Sequence, residues 1–177
     1  MRIRDAQRDD LPRIIEIYNA AIPGRMATAD TEPVRIDDRR DWFAEHDATI
    51  RPLWVALPAQ GGSICGWLSF GSFYGRPAYH ATAELSVYVA PESRRAGVAC
   101  KLLDKALVDA PKLGLNTLLG FVFAHNAPSV ELFRRAGFAV WGHLPRVAEL
   151  DGIERDLLIL GIRLENRSGT VGDDVSA

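Results

Sequence analysis

The sequence predicts an α/β fold in which helices cover the faces of a mixed β-sheet. Short strand-like segments alternate along the chain with amphipathic helical segments. The strand-like segments show alternating hydrophobicity or are rich in β-branched residues. Their order, β-α-α-β-β-β-α-β-α-β-β, is typical of a domain layered from one sheet and several helices. The length of 177 residues fits one domain and allows a buried core without disulfides or metals.

The first third of the chain predicts a strand, two helices and a long loop. Residues 1–6 alternate like a strand, and Pro12 marks the start of a helix whose apolar residues recur up to the stop at Pro23. Residues 23–34 contain Gly, Thr, Asp and Pro, and a loop of that length suggests a functional role. Residues 37–46 form the second predicted helix.

The remainder alternates strands with two further helices. The predicted strands are 53–57, 64–73, 82–89, 117–123, 138–141 and 157–162, and the predicted helices are 98–113 and 127–136. Pro111 is expected to distort the last turn of the first of these helices. One domain is therefore assigned to residues 1–164, and the polar segment 165–177 is expected to be disordered.

Composition excludes several classes of protein. With 21 basic and 23 acidic residues the net charge is −2, so the basic field of a nucleic-acid-binding protein is missing. No apolar run reaches the length of a membrane span, and the N-terminus does not resemble a signal peptide. Two cysteines and four histidines show no metal-ligand spacing. We therefore expect a cytoplasmic protein with no metal, nucleic-acid or membrane partner.

The segment 84–99 carries the clearest chemical signal. A strong strand runs into a short loop, and Gly97 opens an amphipathic helix. The first N–H groups of a helix lack internal partners and attract anions, and Arg94 and Arg95 would add contacts to phosphate oxygens. The loop is neither a Walker loop nor a dinucleotide fingerprint. Taken alone, it also fits a helix start with two solvated arginines.

A second motif gives this loop a context. Residues 94–99 (Arg-Arg-Ala-Gly-Val-Ala) resemble the acyl-CoA pyrophosphate loop of the GNAT N-acetyltransferase superfamily, and the strand, Asn126, helix and Gly137-Phe138 that follow resemble its next element. The similarity covers about residues 1–164 and is closest to the phosphinothricin acetyltransferase-like branch. The segments that resemble that branch are 15–19, 31–34, 40–43, 76–79 and 82–89. It implies the GNAT fold, a mixed, mostly antiparallel sheet of six to seven strands flanked by about four helices.

The resemblance also implies acetyl-CoA as cosubstrate and direct attack of an amine on its thioester. Glu84 stands at the position of the proposed catalytic base; the other reading is a strand carboxylate paired with an arginine. The residues implied in acetyl-CoA binding are Val87, Tyr88, Val89, Arg94, Arg95, Ala96, Gly97, Val98, Ala99, Asn126 and Ser129. Asn126 fits a helix N-terminal turn equally well. For the acceptor, charge and position point to Arg76, Tyr79 and Thr28.

Two positions depart from the family pattern. Phe133 stands where many members have a tyrosine that protonates the leaving thiolate, which leaves Tyr88 or a water for that role. Residues 150–156 lack the lysine and tryptophan of the Lys-x-Gly-x-Trp-x-Asp motif found in close relatives of the branch.

The expected function is therefore acetylation of a small primary amine, of the phosphinothricin or methionine sulfone type, by a homodimer. The alternatives are a polyamine or protein N-terminus as acceptor, or a non-catalytic acyl-CoA sensor.

Overall fold

A computed structural model describes residues 1–164 and shows the predicted α/β architecture. Seven strands form one sheet in the order β1-β2-β3-β4-β5-β7-β6, in which only β4 and β5 run parallel. The strands are β1 (Arg2–Asp5), β2 (Leu53–Leu57), β3 (Gly66–Ser72), β4 (Thr82–Val89), β5 (Thr117–Phe123), β6 (Ala139–Leu150) and β7 (Ile153–Arg163). The α-helices are α1 (Leu11–Asn19), α2 (Arg40–Ala44), α3 (Val98–Asp109) and α4 (Ala127–Arg135). The mixed, mostly antiparallel sheet and the four helices are confirmed, whereas the tail 165–177 lies outside the described residues.

The sheet has a hydrophobic core on each face because successive strand residues point to opposite sides. In β2, Trp54 and Ala56 belong to the core formed with α3 and α4, and Leu53 and Val55 belong to the core formed with α1. Burying an apolar side chain of this size contributes about 1.5–3 kcal/mol. The near-continuous burial of β2 and β3 reflects this two-sided packing.

The C-terminal hairpin is longer than the sequence patterns predicted. Instead of ending at residue 141, β6 continues to Leu150, and β7 already begins at Ile153. Much of this extension is solvent-exposed, so β6 lacks the alternation of buried and exposed residues that marks a strand with one buried face. The turn residues Asp151 and Gly152 both adopt positive φ, +52° and +76°, and Asp-Gly at such a turn is a strong hairpin signal.

The two parallel strands separate soon after they meet. Their pairing runs from Thr82 opposite Thr117 to Glu84 opposite Leu119, and then stops although both strands continue. The backbone groups of residues 85–89 that face β5 therefore have no strand partner. We call the space between residues 85–89 of β4 and 120–123 of β5 the β4–β5 gap. Within the described part of the chain, no helix is long and apolar enough to cross a membrane.

Candidate active site

Two cavities meet at the β4–β5 gap. The larger, about 800 Å³, reaches the start of α3. The smaller, about 370 Å³, reaches Glu84 and the end of α1. Both are lined by Met26, Ala27, Val87, Tyr88, Asn126 and Ser129. A ligand that extends along the gap can thus connect the N-terminus of α3 with Glu84.

The loop before α3 presents unpaired backbone N–H groups to the larger cavity. The first intrahelical bond runs from the N–H of Lys101 to the carbonyl of Gly97, at 3.1 Å, and no side chain caps this helix end. Gly97 has a φ of +74°, and a Cβ there would meet no atom within 4 Å. Glycine is therefore favoured at this position by its backbone conformation and not by lack of space.

The charge around this loop suits an anion. Arg94 and Arg95 line the cavity and, among residues 1–164, form no ion pair. Arg135 on α4 also lines it and binds Glu131 at 2.7 Å. Arg135 and Arg134 hold the pKa of Glu131 below its usual range, so that carboxylate stays ionised and paired. The free arginines and the positive end of α3 together favour a phosphate-bearing ligand.

Glu84 lies at the point where β4 and β5 separate. Glu84 pairs with Gly71 of β3 and with Leu119 of β5, and its half-buried side chain lines the smaller cavity. No cation of residues 1–164 lies within ion-pair distance of it, so the paired strand carboxylate considered above is not what the structure shows. Burial raises the pKa of Glu84. A carboxylate whose pKa is raised in this way is a stronger proton acceptor than an exposed glutamate.

The segment 25–27 crosses the gap between the two cavities and is held by three successive carbonyls. The carbonyl of Arg25 bonds His125 Nε2 at 2.8 Å, that of Met26 bonds Asn126 Nδ2 at 2.9 Å, and that of Ala27 bonds the Tyr88 hydroxyl at 2.9 Å. A carbonyl only accepts, so His125 carries a proton on Nε2.

Asn126 acts as a structural link between this segment and α4. Its side-chain oxygen accepts the N–H of Ser129 at 3.2 Å and its amide nitrogen donates to Met26. The helix-terminal interpretation of Asn126 is thus what the structure shows, while its role toward acetyl-CoA stays a prediction.

Replacing Asn126 with alanine is expected to destabilise the fold by about 1–3 kcal/mol, because a buried cap and a buried carbonyl both lose their partners. Chemical denaturation measures this change. Ser129→Ala is the matched control, since only its backbone N–H takes part and its stability should remain that of the parent. Equal stability of both variants would contradict the linking role.

A chain of hydrogen bonds closes the far end of the smaller cavity. The Thr28 hydroxyl lies 2.5 Å from the Tyr18 hydroxyl, which donates to Asp30 at 2.5 Å, and Arg39 reaches the same carboxylate at 3.0 Å. Burial, together with the bond to Asp30, raises the pKa of Tyr18, so the phenol keeps its proton. Thr28 was among the residues predicted from sequence; Tyr18, Asp30 and Arg39 were not.

Most of the other predicted site residues meet at the gap. Those that line a cavity are Glu84, Val87, Tyr88, Val89, Arg94, Arg95, Gly97, Val98, Ala99, Asn126, Ser129 and Thr28. Ala96 lies in the same loop without lining either cavity. Arg76 and Tyr79 are exposed in the β3–β4 connection, outside both cavities.

Phe133 fills the position where a tyrosine was expected. It is buried, packs edge-on against Phe138 at 4.9 Å and lines the smaller cavity. In residues 1–164, no group of three or more His, Cys, Asp or Glu side chains is placed to hold a metal ion.

Comparison with known proteins agrees with this geometry. Residues 11–138 match the acetyltransferase (GNAT) family. The chain is 49% identical over 164 residues to YwnH of Bacillus subtilis, a proposed phosphinothricin acetyltransferase, covering 93% of this chain and 99% of that protein. It is 33% identical to the L-methionine sulfoximine/L-methionine sulfone acetyltransferase of Pseudomonas aeruginosa, with coverage of 92% and 94%.

A solved structure shows the same fold with its cosubstrate bound. The phosphinothricin acetyltransferase of Sinorhizobium meliloti, in complex with acetyl-CoA, superposes with a TM-score of 0.86 at 26% identity, covering 92% of this chain and 88% of that one.

Proposed function

Because the chain belongs to the GNAT acetyltransferase family, we propose that it transfers the acetyl group of acetyl-CoA to the primary amine of an amino-acid analogue of the phosphinothricin or methionine sulfone type. The observation that carries this proposal is the β4–β5 gap, which joins an anion-binding loop to a half-buried carboxyl group without a cationic partner. The substrates named for the relatives support this acceptor class.

The residues around the larger cavity fit acetyl-CoA. The unpaired N–H groups at the start of α3, with Arg94 and Arg95, suit its diphosphate. The backbone groups of Val87 and Val89 that face the gap have no strand partner and suit the pantetheine arm. The backbone of Tyr88 faces β3, where this residue pairs with Trp67, so Tyr88 lines the cavity with its side chain. Ala96, Gly97, Val98 and Ala99 complete the loop, and Asn126 and Ser129 form the opposite wall. These assignments rest on the lining of the cavity and on the family resemblance.

The catalytic role of this chain is to prepare an amine and hold its proton. Acetyl-CoA, when bound, supplies the thioester that an uncharged amine attacks directly, so that a C–N bond forms and the C–S bond breaks. Glu84 accepts the proton that the ammonium loses, directly or through a water. After the C–N bond has formed, the nitrogen loses a second proton, which reaches the departing thiolate through Tyr88 or a water, because Phe133 has no proton to relay. Burial raises the pKa of Tyr88, so this phenol is a weaker acid than an exposed tyrosine, and its proton is already donated to the carbonyl of Ala27 at 2.9 Å.

The smaller cavity is the acceptor site in this proposal. Its wall is apolar on the β5 side, where Phe121, Val122 and Phe123 lie, and polar around Thr28. Asp30 is already paired with Arg39, so Glu84 is the one acidic lining group of residues 1–164 without a cationic partner. Arg76 and Tyr79 stay predicted acceptor contacts.

The test is thiol release from acetyl-CoA with a panel of amines: phosphinothricin, methionine sulfone and sulfoximine, common amino acids, a polyamine and a peptide. Release with the first three is expected. Release only with the polyamine or the peptide would move the acceptor to those classes. Acetyl-CoA binding without release on any amine would favour a sensor and contradict the proposal.

A homodimer in the cytoplasm is part of the same proposal. Two free cysteines, Cys65 and Cys100, suit a reducing compartment. The β6–β7 hairpin exposes large apolar side chains, which mark interfaces when they form a patch. They are Val140, Trp141, Leu144, Val147 and Ile153.

We expect sedimentation equilibrium to give a molecular mass twice the 19.5 kDa of one chain. Val147→Glu, at a position 55% exposed, should shift it to the monomer because a charge would be buried in the interface. Val108→Glu, at a position 66% exposed on α3, is the control that leaves the dimer intact. A parent protein that sediments as a monomer would contradict the dimer.

A further inference from the structure

The smaller cavity is lined by more acidic than basic side chains, and these side chains differ in whether they already have an ion-pair partner. Among the residues 1–164 that line it, Arg39 is the only cation, and Asp30 and Glu84 are the only carboxylates. Asp30 is committed to two partners, Tyr18 and Arg39. The cavity therefore offers one carboxyl group without a cationic partner, at Glu84, and one guanidinium, at Arg39.

Arg39 is held firmly but uses few of its hydrogen-bond donors. Its guanidinium carbon lies 5.3 Å from the centre of the Tyr18 ring and 6.0 Å from that of Trp42. One side-chain bond, to Asp30, is formed within residues 1–164. A guanidinium has five N–H donors in a fork that matches a carboxylate. Most of them remain available on a side chain that is 30% exposed.

The neighbours of Arg39 fix its orientation. The hydrogen-bond chain from Thr28 through Tyr18 to Asp30 ends on the guanidinium, and Asp30 cannot turn away without breaking the bond from Tyr18. The two aromatic faces restrict the flat group from the sides. A binding group that is already immobilised loses little entropy when a ligand carboxylate arrives.

From this arrangement we infer that Arg39 binds the carboxylate of the acceptor. The inference rests on the proposed function. An amino acid has an ammonium group for Glu84, which has no cationic partner, and a carboxylate for the N–H donors of Arg39 that Asp30 does not use. A polyamine would place a second cation beside Arg39. Arg76, the arginine predicted from sequence, lies outside this cavity.

The experiment compares two substrates on four proteins. Methionine sulfone is paired with 3-(methylsulfonyl)propylamine, which has the same side chain and amine but no carboxylate. The proteins are the parent, Arg39→Gln, Arg76→Gln and Arg40→Gln. Arg40 is the adjacent arginine, is exposed and binds Asp37 at 2.8 Å, so its replacement makes the same charge change outside the cavity.

For Arg39→Gln we expect kcat/KM to fall about 100-fold or more on methionine sulfone, because a site that recognises a polar group discriminates strongly by it. On the amine without the carboxylate the fall should be no more than a few-fold, so the preference of the enzyme for methionine sulfone over this amine should be largely lost. Arg40→Gln should match the parent on both substrates. A purely structural role for Arg39 would lower both substrates equally.

Two results would overturn the inference while the proposed function stands. One is an equal loss on both substrates with Arg39→Gln, and the other is a carboxylate-selective loss with Arg76→Gln alone. A parent protein that acetylates neither substrate but binds acetyl-CoA would instead count against the proposed acceptor class.

Discussion

Replacing Glu84 with glutamine is expected to lower kcat about 10²–10⁴-fold, the range that a positioned general base contributes. The amide has nearly the same size and cannot take the ammonium proton. The Kd for acetyl-CoA should stay that of the parent, because Glu84 lines the smaller cavity and not the larger one. Assays of thiol release measure kcat, and calorimetric titration measures the Kd for acetyl-CoA.

The pH dependence follows from the raised pKa of Glu84. Since burial disfavours the carboxylate, the parent rate should decline as the pH falls through a value above the ordinary glutamate range. In Glu84→Gln that decline should disappear from the residual rate. An unchanged kcat would remove Glu84 from the mechanism.

The same substitution, Glu84→Gln, should lower the rate but should not lower the stability of the fold. The folded-state pKa of Glu84 is raised, so the penalty for ionising it begins above the unfolded-state pKa and is complete above the folded-state pKa. At pH 8 the amide avoids this penalty, and Glu84→Gln should melt at the same temperature as the parent or higher. Glu149→Gln, at an exposed carboxylate on β6, is the control with no change in melting or rate. A lower melting temperature for Glu84→Gln would show that Glu84 supports the fold.

Ala99→Asp is expected to weaken acetyl-CoA binding at least 100-fold while it stabilises the protein slightly. Ala99 lies in the first turn of α3 and lines the larger cavity. A carboxylate there occupies the free N–H groups and repels a diphosphate. For the fold, an acid at a helix N-terminus is favourable by about 0.3–1 kcal/mol.

The control is Lys101→Glu, which makes a larger charge change near the same helix end without lining the cavity. It should bind acetyl-CoA within a few-fold of the parent. Calorimetric Kd values of the two variants test the expected loss of affinity, and their melting curves test the expected gain of stability. Parent-like affinity in Ala99→Asp would place the diphosphate elsewhere.

The parts that sequence predicted well are local in the chain. The helix beginning at Val98, the loop before it and the strand that carries Glu84 all lie within one short segment, so their spacing indicated a strand, an anion-binding turn and a helix in succession. Pro111 was expected to distort the helix end, and residues 110–113 are indeed a 3-10 turn.

The parts that were missed depend on contacts between distant segments. Tyr18 lies on α1, Asp30 in the long loop and Arg39 just before α2, and no single pattern links them. Their hydrogen bonds exist only because the loop folds back over the β4–β5 gap. The long C-terminal hairpin was missed for a related reason: its stability comes from pairing with β5 and from the Asp151–Gly152 turn, and not from a buried face.

Direct transfer of the acetyl group from acetyl-CoA to the amine has a kinetic requirement that distinguishes it from a route through an acyl-enzyme. Both substrates must be bound together before any product leaves, although Cys100 lines the larger cavity and has the chemistry of an acyl carrier. Initial rates of thiol release, with acetyl-CoA and methionine sulfone varied against each other, should give intersecting double-reciprocal lines, and Cys100→Ser should reproduce them. Parallel lines, or an acetylated enzyme formed from acetyl-CoA alone and lost in Cys100→Ser, would contradict direct attack at the β4–β5 gap.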